Sequence, residues 1–248
     1  TADKKKALFS GDLGNTPEDI IKPTEYSDSA DYVIMETTYG DKLHKKEDPS
    51  EIIREEINAI EETSGVLLIP AFSLERTQEL LHKIHHLKKD GKIRADTPVF
   101  LDSPMGIRAT EVFKHFREYY NDELQSHTDD PFSFEGLGVT LEARDSKDIR
   151  KAMEPKVIIA GSGMMSGGRI LHHALNYLPF ATTRVLFVGY QAEETLGRKI
   201  LLGAKNVRIN NIPVKVRAKI REISTMSSHA DQTKLLTWIN HVKGVKKL

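Results

Sequence analysis

Short hydrophobic runs alternate with amphipathic stretches along most of the chain. The runs predict β-strands at Lys6–Phe9, Tyr32–Glu36, Val66–Ile69, Pro98–Leu101, Val157–Ala160 and Val185–Val188. Apolar residues at helical spacing predict helices at Pro49–Thr63, Leu74–Lys89, Met105–Tyr119, Ser166–Tyr177, Glu193–Leu201 and Ala230–His241. The predicted strands are continuously hydrophobic, as is typical of strands buried on both faces of a parallel sheet. The pattern therefore predicts an α/β fold, with a mostly parallel sheet flanked by helices.

Two local features complete this picture. Ser73 stands where an N-cap residue would begin the helix Leu74–Lys89. The stretch Asn121–Gly138 contains Asp129-Asp130-Pro131 and shows no clear periodicity. We therefore expect it to be a surface excursion.

The composition excludes several classes of site. With 248 residues, 39% of them hydrophobic, and no cysteine, the chain can build a core without disulfides. It has no thiolate nucleophile, and any metal must be bound by His, Asp or Glu. The apolar runs are far shorter than the roughly 18 residues of a membrane helix, and no signal peptide is recognisable. We expect a soluble globular protein.

The formal net charge of zero conceals an asymmetry. Residues 1–149 contain 19 Lys+Arg and 31 Asp+Glu, whereas residues 150–248 contain 17 and 5, so the two parts carry about −12 and +12. A basic half can contact a polyanion such as a nucleic acid. It can equally pair with the acidic half, and charge alone does not decide between these interpretations.

Two carboxylates follow predicted strands, where ligand sites of parallel sheets are found. Asp12, between Gly11 and Gly14, is a candidate metal ligand, although an aspartate in such a sequence often only caps a turn. Glu36 ends a buried strand, where a carboxylate is costly unless hydrogen-bonded. We therefore expect it to have a partner such as an imidazole.

His229 lies in Ser228-His229-Ala230-Asp231, at a predicted junction between a loop and a helix. Helix N-termini favour anions, and a histidine there can donate to a phosphate oxygen or protonate a leaving group. The alternative is a surface or capping histidine. His82, His85, His86, His172 and His173 match no metal-binding motif, and we interpret them as surface or packing residues.

A glycine-rich turn, Gly161-Ser162-Gly163-Met164-Met165-Ser166-Gly167-Gly168-Arg169, separates a predicted strand from a predicted helix. Backbone N–H groups in such turns bind phosphate. Its spacing differs from the dinucleotide-binding G-x-G-x-x-G pattern, and no acidic residue follows at the expected distance for a ribose. A nucleotide-binding Rossmann domain is thus the weaker alternative, and contact with a phosphodiester is the better hypothesis.

Taken in order, six motifs of this chain resemble those of the β-CASP branch of the metallo-β-lactamase superfamily. The resemblance is closest to archaeal and bacterial relatives of the endonuclease subunit of the cleavage and polyadenylation specificity factor. The motifs are Phe9-Ser10-Gly11-Asp12-Leu13-Gly14, Glu36-Thr37-Thr38-Tyr39-Gly40, the segment Pro70–Leu81, Asp102-Ser103-Pro104-Met105, Ser162-Gly163-Met164 and Ser228-His229-Ala230-Asp231.

The resemblance implies roles for these residues. Asp12 matches a metal-bridging aspartate, Glu36 the acidic residue of motif A, and His229 the histidine of motif B beside the scissile phosphate. It implies RNA hydrolysis by a hydroxide held between two zinc ions. With RNA as the substrate, we expect the turn at Ser162, Gly163 and Met164 to contact a phosphate, together with Arg169, which lies just after it. Residues 1–40 and 228–248 would then be parts of a metallo-β-lactamase αββα domain, and residues 41–227 the β-CASP domain.

The metal-binding H-x-H-x-D-H motif and the motif C histidine of the family are absent from this chain. We therefore expect a fragment of a zinc-dependent ribonuclease that, on its own, binds zinc weakly or not at all and does not cut RNA. The alternative is a catalytically inactive RNA-binding or scaffold paralogue. The resemblance further implies single-stranded RNA as partner and a cytoplasmic location, and it allows a homodimer of the complete protein.

Overall fold

The structure is a computed structural model that describes residues 4–14 and 19–248. Most of its strands are short and lie in one parallel sheet. The strands are β1 (Ala7–Phe9), β2 (Tyr32–Ile34), β3 (Val66–Pro70), β4 (Val99–Asp102), β5 (Leu137–Val139), β6 (Lys156–Ala160), β7 (Arg184–Phe187), β8 (Asn206–Ile209), β9 (Ile212–Lys215) and β10 (Lys219–Glu222).

Among the described residues, six α-helices match predicted ones and four of these begin later than predicted, whereas two short helices were not predicted. They are α1 (Pro49–Thr63), α2 (Arg76–Lys89), α3 (Pro104–His115), α4 (Asp122–Ser126), α5 (Ala143–Asp148), α6 (Ile170–Tyr177), α7 (Leu196–Leu201) and α8 (Gln232–His241). The late starts have one cause. The residues just before α2, α6, α7 and α8 form turns or caps, and periodicity alone does not mark where a helix begins.

The Cα positions divide into two compact units. Unit 1 comprises Thr1–Lys46, Glu118–His127 and Ser227–Leu248, and unit 2 comprises Glu47–Arg117 and Thr128–Met226.

Unit 2 is built on a six-stranded parallel sheet, in the order β10-β7-β3-β6-β4-β5. Every residue of β3 and β6 is buried. This burial confirms the α/β fold and the mostly parallel sheet that the continuous hydrophobic runs predicted. An antiparallel hairpin, β8–β9, is joined by Asn210 and Asn211, both at positive φ, which asparagine tolerates better than most residues.

Unit 1 contains the parallel pair β1–β2, with Leu8 opposite Val33. A hydrophobic cluster that includes Leu13, Val33 and residues of α8 such as Leu235 and Trp238 forms its core. The indole N–H of Trp238 donates to the backbone oxygen of Glu25. The chain's last residues form bridges with Ser29 and Tyr32.

Two local predictions were wrong. Ser73 is not an N-cap: α2 begins at Arg76 after Glu75, which lies at positive φ and makes no side-chain cap. The stretch Asn121–Gly138 is not merely a surface excursion, because it contains α4 and buries Leu124 and Phe132. The polar residues around these two apolar side chains obscured the pattern.

Candidate functional site

Glu36 and His229 form a hydrogen-bonded pair in unit 1. The Nδ1 atom of His229 lies 2.7 Å from Oε2 of Glu36, and Oε1 of Glu36 accepts a hydrogen bond of 2.6 Å from the backbone N–H of Leu13. Glu36 thus has the imidazole partner that its position predicted. Because Oε2 of Glu36 accepts this hydrogen bond, it favours the tautomer of His229 that carries a proton on Nδ1. The other ring nitrogen, Nε2, is then the atom that remains for a substrate.

Asp12 completes this group, which we call the Glu36 cluster (Asp12, Glu36 and His229). Its Oδ1 lies 3.8 Å from Nδ1 of His229, and its side chain is 69% exposed. One ligand atom from each of the three residues can be chosen so that all lie within 4.8 Å of one another, the spacing of a metal site. Since Glu36 is engaged by His229 and Leu13, Asp12 is the carboxylate that remains available to a cation.

The ends of neighbouring segments position the Glu36 cluster. Gly11 and Gly14 have positive φ values, so the backbone turns sharply on either side of Asp12 after β1. The Ser10 hydroxyl accepts a hydrogen bond from the N–H of Glu36, which ties the ends of β1 and β2 together.

The helix that follows His229 begins differently from the prediction. Asp231 is the N-cap of α8, and its carboxylate accepts a hydrogen bond from the N–H of Lys234. His229 lies two residues before this cap.

In unit 2, two carbonyl groups of the glycine-rich turn accept hydrogen bonds from other segments, and two of its N–H groups have no acceptor among the described residues. The carbonyl of Gly163 accepts from Nε2 of Gln191 at 2.9 Å, and that of Met164 accepts from the N–H of Gly197 at 3.1 Å. Within the described chain, the N–H groups of Gly163 and Met164 donate no hydrogen bond. A trans peptide points its N–H away from its carbonyl, so Gln191 directs the Met164 N–H to the opposite side.

Gln191 is a contributor that the sequence analysis missed. Its amide also donates to the carbonyl of Gly189, so it joins the loops that follow β6 and β7. Its position shortly after the carboxyl end of β7 is the signal that could have identified it.

Arg169 follows the turn, but its guanidinium is committed to internal partners. It donates to Oδ1 of Asp102 at 2.6 Å and to the backbone oxygens of Thr140 and Leu141 at 2.7 and 2.5 Å. The side chain is 20% exposed. These contacts attach the end of the turn to β4 and to the loop after β5.

Asp102 is the centre of a second group, the Asp102 cluster (Asp102, Thr140, Ser146, Arg169 and His173). The carboxylate is fully buried and accepts hydrogen bonds of 2.6 Å from the hydroxyls of Thr140 and Ser146. Nε2 of His173 lies 2.7 Å away. Burial raises the pKa of Asp102, but the hydrogen bonds from His173, Ser146, Thr140 and Arg169 outweigh burial and hold this pKa well below its usual range.

Internal ion pairs match part of the basic excess of residues 150–248. They join Arg169 to Asp102, Arg184 to Glu56, Arg221 to Glu55 and Glu56, and Lys246 to Asp31. Other basic residues are exposed around the β8–β9 hairpin, at Lys205, Arg208, Lys215, Arg217 and Lys219. Both interpretations of the charge asymmetry therefore have residues to support them.

Among residues 4–14 and 19–248, no helix combines the length and the apolar character needed to cross a membrane.

Family models match two parts of the chain. Residues 77–200 match the Beta-Casp domain, and residues 213–246 match the Zn-dependent metallo-hydrolase RNA specificity domain.

Several curated proteins are similar over almost the whole chain. Ribonuclease TTHA0252 of Thermus thermophilus is 37% identical over 238 residues, 94% of this chain and 54% of the relative. The RNase J-like protein of Methanocaldococcus jannaschii is 31% identical over 249 residues, 99% of this chain and 57% of the relative. Transcription termination factor FttA of Pyrococcus abyssi is 28% identical over 248 residues, 95% of this chain and 38% of the relative. The chain thus spans about half the length of the first two relatives and less of the third.

Proposed function

Because this chain belongs to the β-CASP family of the metallo-β-lactamase superfamily, we propose that it is part of a zinc-dependent ribonuclease that hydrolyses phosphodiester bonds in single-stranded RNA. The observation that carries the proposal is the Glu36–His229 hydrogen bond beside the exposed carboxylate of Asp12. The matched RNA specificity domain and the relatives named as ribonuclease and RNase J-like protein support RNA as the substrate class.

In this proposal Glu36 positions His229, and His229 acts on the substrate. Glu36 holds Nδ1–H of the imidazole, so Nε2 faces the chemistry. A neutral Nε2 accepts a proton, whereas a protonated one donates to a phosphate oxygen or to the leaving oxygen. The backbone N–H of Leu13 restrains the carboxylate of Glu36 and so restricts the rotation of the pair.

Zinc is the metal that the matched family description implies. A catalytic zinc site takes three protein ligands, and in the Glu36 cluster only the Asp12 carboxylate is uncommitted. The described residues therefore do not make a complete zinc site. We propose that Asp12 contributes one ligand to a larger set.

This ligand count predicts that the 248-residue chain binds less than one equivalent of zinc per molecule. The measurement is elemental analysis after dialysis against buffered zinc, with Asp12→Asn as the matched variant. One or more tightly held zinc ions that Asp12→Asn removes would contradict the count.

For RNA contact, we propose that the N–H groups of Gly163 and Met164 donate to a phosphate, with Ser162 beside them. The hydrogen bonds that the carbonyls of Gly163 and Met164 accept support this proposal, because they orient the turn before a ligand binds. We propose that Arg169 supports the same contact by attaching the turn to Asp102. The exposed basic residues of the β8–β9 hairpin add charge that favours a polyanion.

We also propose that unit 2 corresponds to the β-CASP domain and unit 1 to part of the metallo-β-lactamase domain. The match of residues 77–200 supports the first assignment. The parallel pair β1–β2, whose residues Phe9 and Ile34 are exposed, supports the second, because such a pair is small for an independent sheet.

The test is His229→Ala in the complete protein that carries this chain. We expect RNA cleavage to fall by about 10²–10⁴-fold, the usual contribution of acid–base catalysis, with the zinc content unchanged. His241→Ala, an exposed histidine on α8, is the matched control and should retain activity. Loss of zinc in His229→Ala would make the residue a metal ligand, and undiminished cleavage would overturn its role. A complete protein that binds RNA without cutting it would instead indicate the inactive paralogue.

A further inference from the structure

The strand order of unit 2 identifies a crevice at the carboxyl ends of its strands. From β3 the chain leads through α2 to β4, towards the β5 edge of the sheet. From β7 it leads to β10, at the opposite edge. β3 and β7 are neighbours, so their outgoing connections diverge between them. Ligands of open parallel sheets bind where such connections diverge.

Phe72 lies at this point, two residues after the end of β3. One edge of its ring is seated against two glycines from the flanking loops. A Cβ at Gly163 would lie 2.6 Å from the ring Cδ2, and one at Gly189 would lie 3.3 Å from Cε2. Any side chain at Gly163 would therefore displace the ring.

Gln191 joins the two loops that contact the Phe72 ring. Its amide nitrogen donates to the carbonyls of both Gly163 and Gly189 at 2.9 Å, so the two loops that contact the ring are joined directly. Phe72 nevertheless remains 39% exposed. An aromatic ring that is fixed along one edge and open to solvent elsewhere offers a preorganised flat surface.

Gln191, which joins the two loops that contact the ring, also orients the available N–H of Met164, because that N–H belongs to the same peptide as the Gly163 carbonyl. A phosphate donor and an aromatic surface then lie beside the same turn, because the Phe72 ring contacts Gly163, the residue before Met164. A nucleotide has a phosphate and a planar base to match them. We propose that Phe72 is a stacking platform for one nucleobase of single-stranded RNA. This rests on the proposed RNA contact of the turn and adds a base-binding subsite to it.

Stacking on an aromatic ring accepts every base, so the subsite adds affinity without sequence preference. Burial in the core would leave little of the ring exposed, and a scattered surface phenylalanine would not need two glycines to seat it. Phe180 provides the contrast within unit 2. It is 57% exposed but precedes β7, at the opposite ends of the strands.

The experiment measures binding of a short fluorescein-labelled oligouridylate to the 248-residue chain by anisotropy. We expect Phe72→Leu, which keeps apolar bulk but removes the ring, to raise Kd about fivefold to hundredfold, the range observed for loss of one stacked base. Phe72→Tyr and Phe72→Trp should bind within about twofold of the unchanged chain, because they retain a ring. Phe180→Leu is the matched control, with no change expected.

A second arm changes the RNA as well as the protein. An abasic residue is moved along the oligonucleotide, and with the unchanged chain we expect a similar penalty at one position. Phe72→Leu should abolish that penalty, since two changes that remove the same contact do not add.

Equal binding by Phe72→Leu and the unchanged chain, or penalties that add, would overturn the stacking platform and leave the RNA contact standing. An unchanged chain that binds no RNA would overturn the proposed contact of the turn as well. Far-UV circular dichroism of each variant identifies any loss of folding.

Discussion

The Glu36 cluster of unit 1 and the Asp102 cluster of unit 2 each contain a carboxylate and a histidine at the same distance. In each, a carboxylate at or just after the carboxyl end of a parallel strand lies 2.7 Å from a histidine nitrogen. In the Asp102 cluster the carboxylate is fully buried and its four partners satisfy both oxygens. In the Glu36 cluster Nε2 of His229 is available and Asp12 is exposed.

The difference separates a structural pair from the pair that we propose to be reactive. A saturated, buried carboxylate stabilises the fold only while all its partners are in place, and it has nothing left to offer a substrate. A histidine held on one nitrogen and open on the other is arranged for proton transfer. The spacing of His and Asp or Glu does not distinguish these cases, but saturation and exposure do.

The largest expected effect comes from replacing the Glu36 carboxylate by an amide of the same size. We expect Glu36→Gln to lower RNA cleavage by the complete protein about 10²–10⁴-fold, because an amide can still accept from Leu13 but does not stabilise a protonated imidazole. Cleavage assays under single-turnover conditions measure this. Glu25→Gln, an exposed position in unit 1, is the control. Cleavage by Glu36→Gln at the unchanged rate would make this pair structural too.

The corresponding change in the saturated pair should act on stability instead. We expect Asp102→Asn to lower the free energy of unfolding by about 3–5 kcal/mol, because it removes the buried counter-charge of Arg169 and an acceptor that His173 contacts. Urea denaturation of the 248-residue chain measures this. Asp148→Asn, which removes an exposed pair with Lys151 on the adjoining segment, should cause no measurable change.

Acid provides a second measurement on Asp102. Its folded-state pKa is lowered, so the ionised carboxylate stabilises the folded chain at neutral pH. This contribution should decrease as the pH falls below about 4, the ordinary value of an aspartate, towards the lowered pKa. The Asp102→Asn chain should lose less stability over that range. An identical acid dependence in both chains would contradict the saturated ion pair.

Replacing Arg169 should have the smallest effect, and it distinguishes a structural role of this side chain from direct contact with RNA. Because its guanidinium is committed to Asp102 and two carbonyls, we expect Arg169→Ala to weaken RNA binding severalfold through the turn, with the salt dependence of binding unchanged. A side chain in direct contact with phosphate would lower the salt slope by about 1. Binding measured across a salt titration separates the two, and a lower slope would place Arg169 on the RNA.

Much of this molecule could be predicted from local patterns. The hydrophobic runs at β3, β6 and β7 predicted a buried parallel sheet, and the carboxylate that ends the strand at Glu36 predicted a polar partner. The motifs around Asp12, Glu36 and His229 predicted the family to which the chain belongs. The Asp102 cluster was not predicted, because its members lie up to 71 residues apart and no spacing rule connects them.

The sequence by itself determined the α/β fold, the family and the residue types available for chemistry, because strand and helix patterns are local and the motifs are contiguous. Only the tertiary structure decided that His229 pairs with Glu36 while His173 is buried against Asp102, that Arg169 is committed internally, and that the Phe72 ring contacts Gly163 and Gly189. Exposure, saturation of hydrogen bonds and close approach arise between segments far apart in the chain.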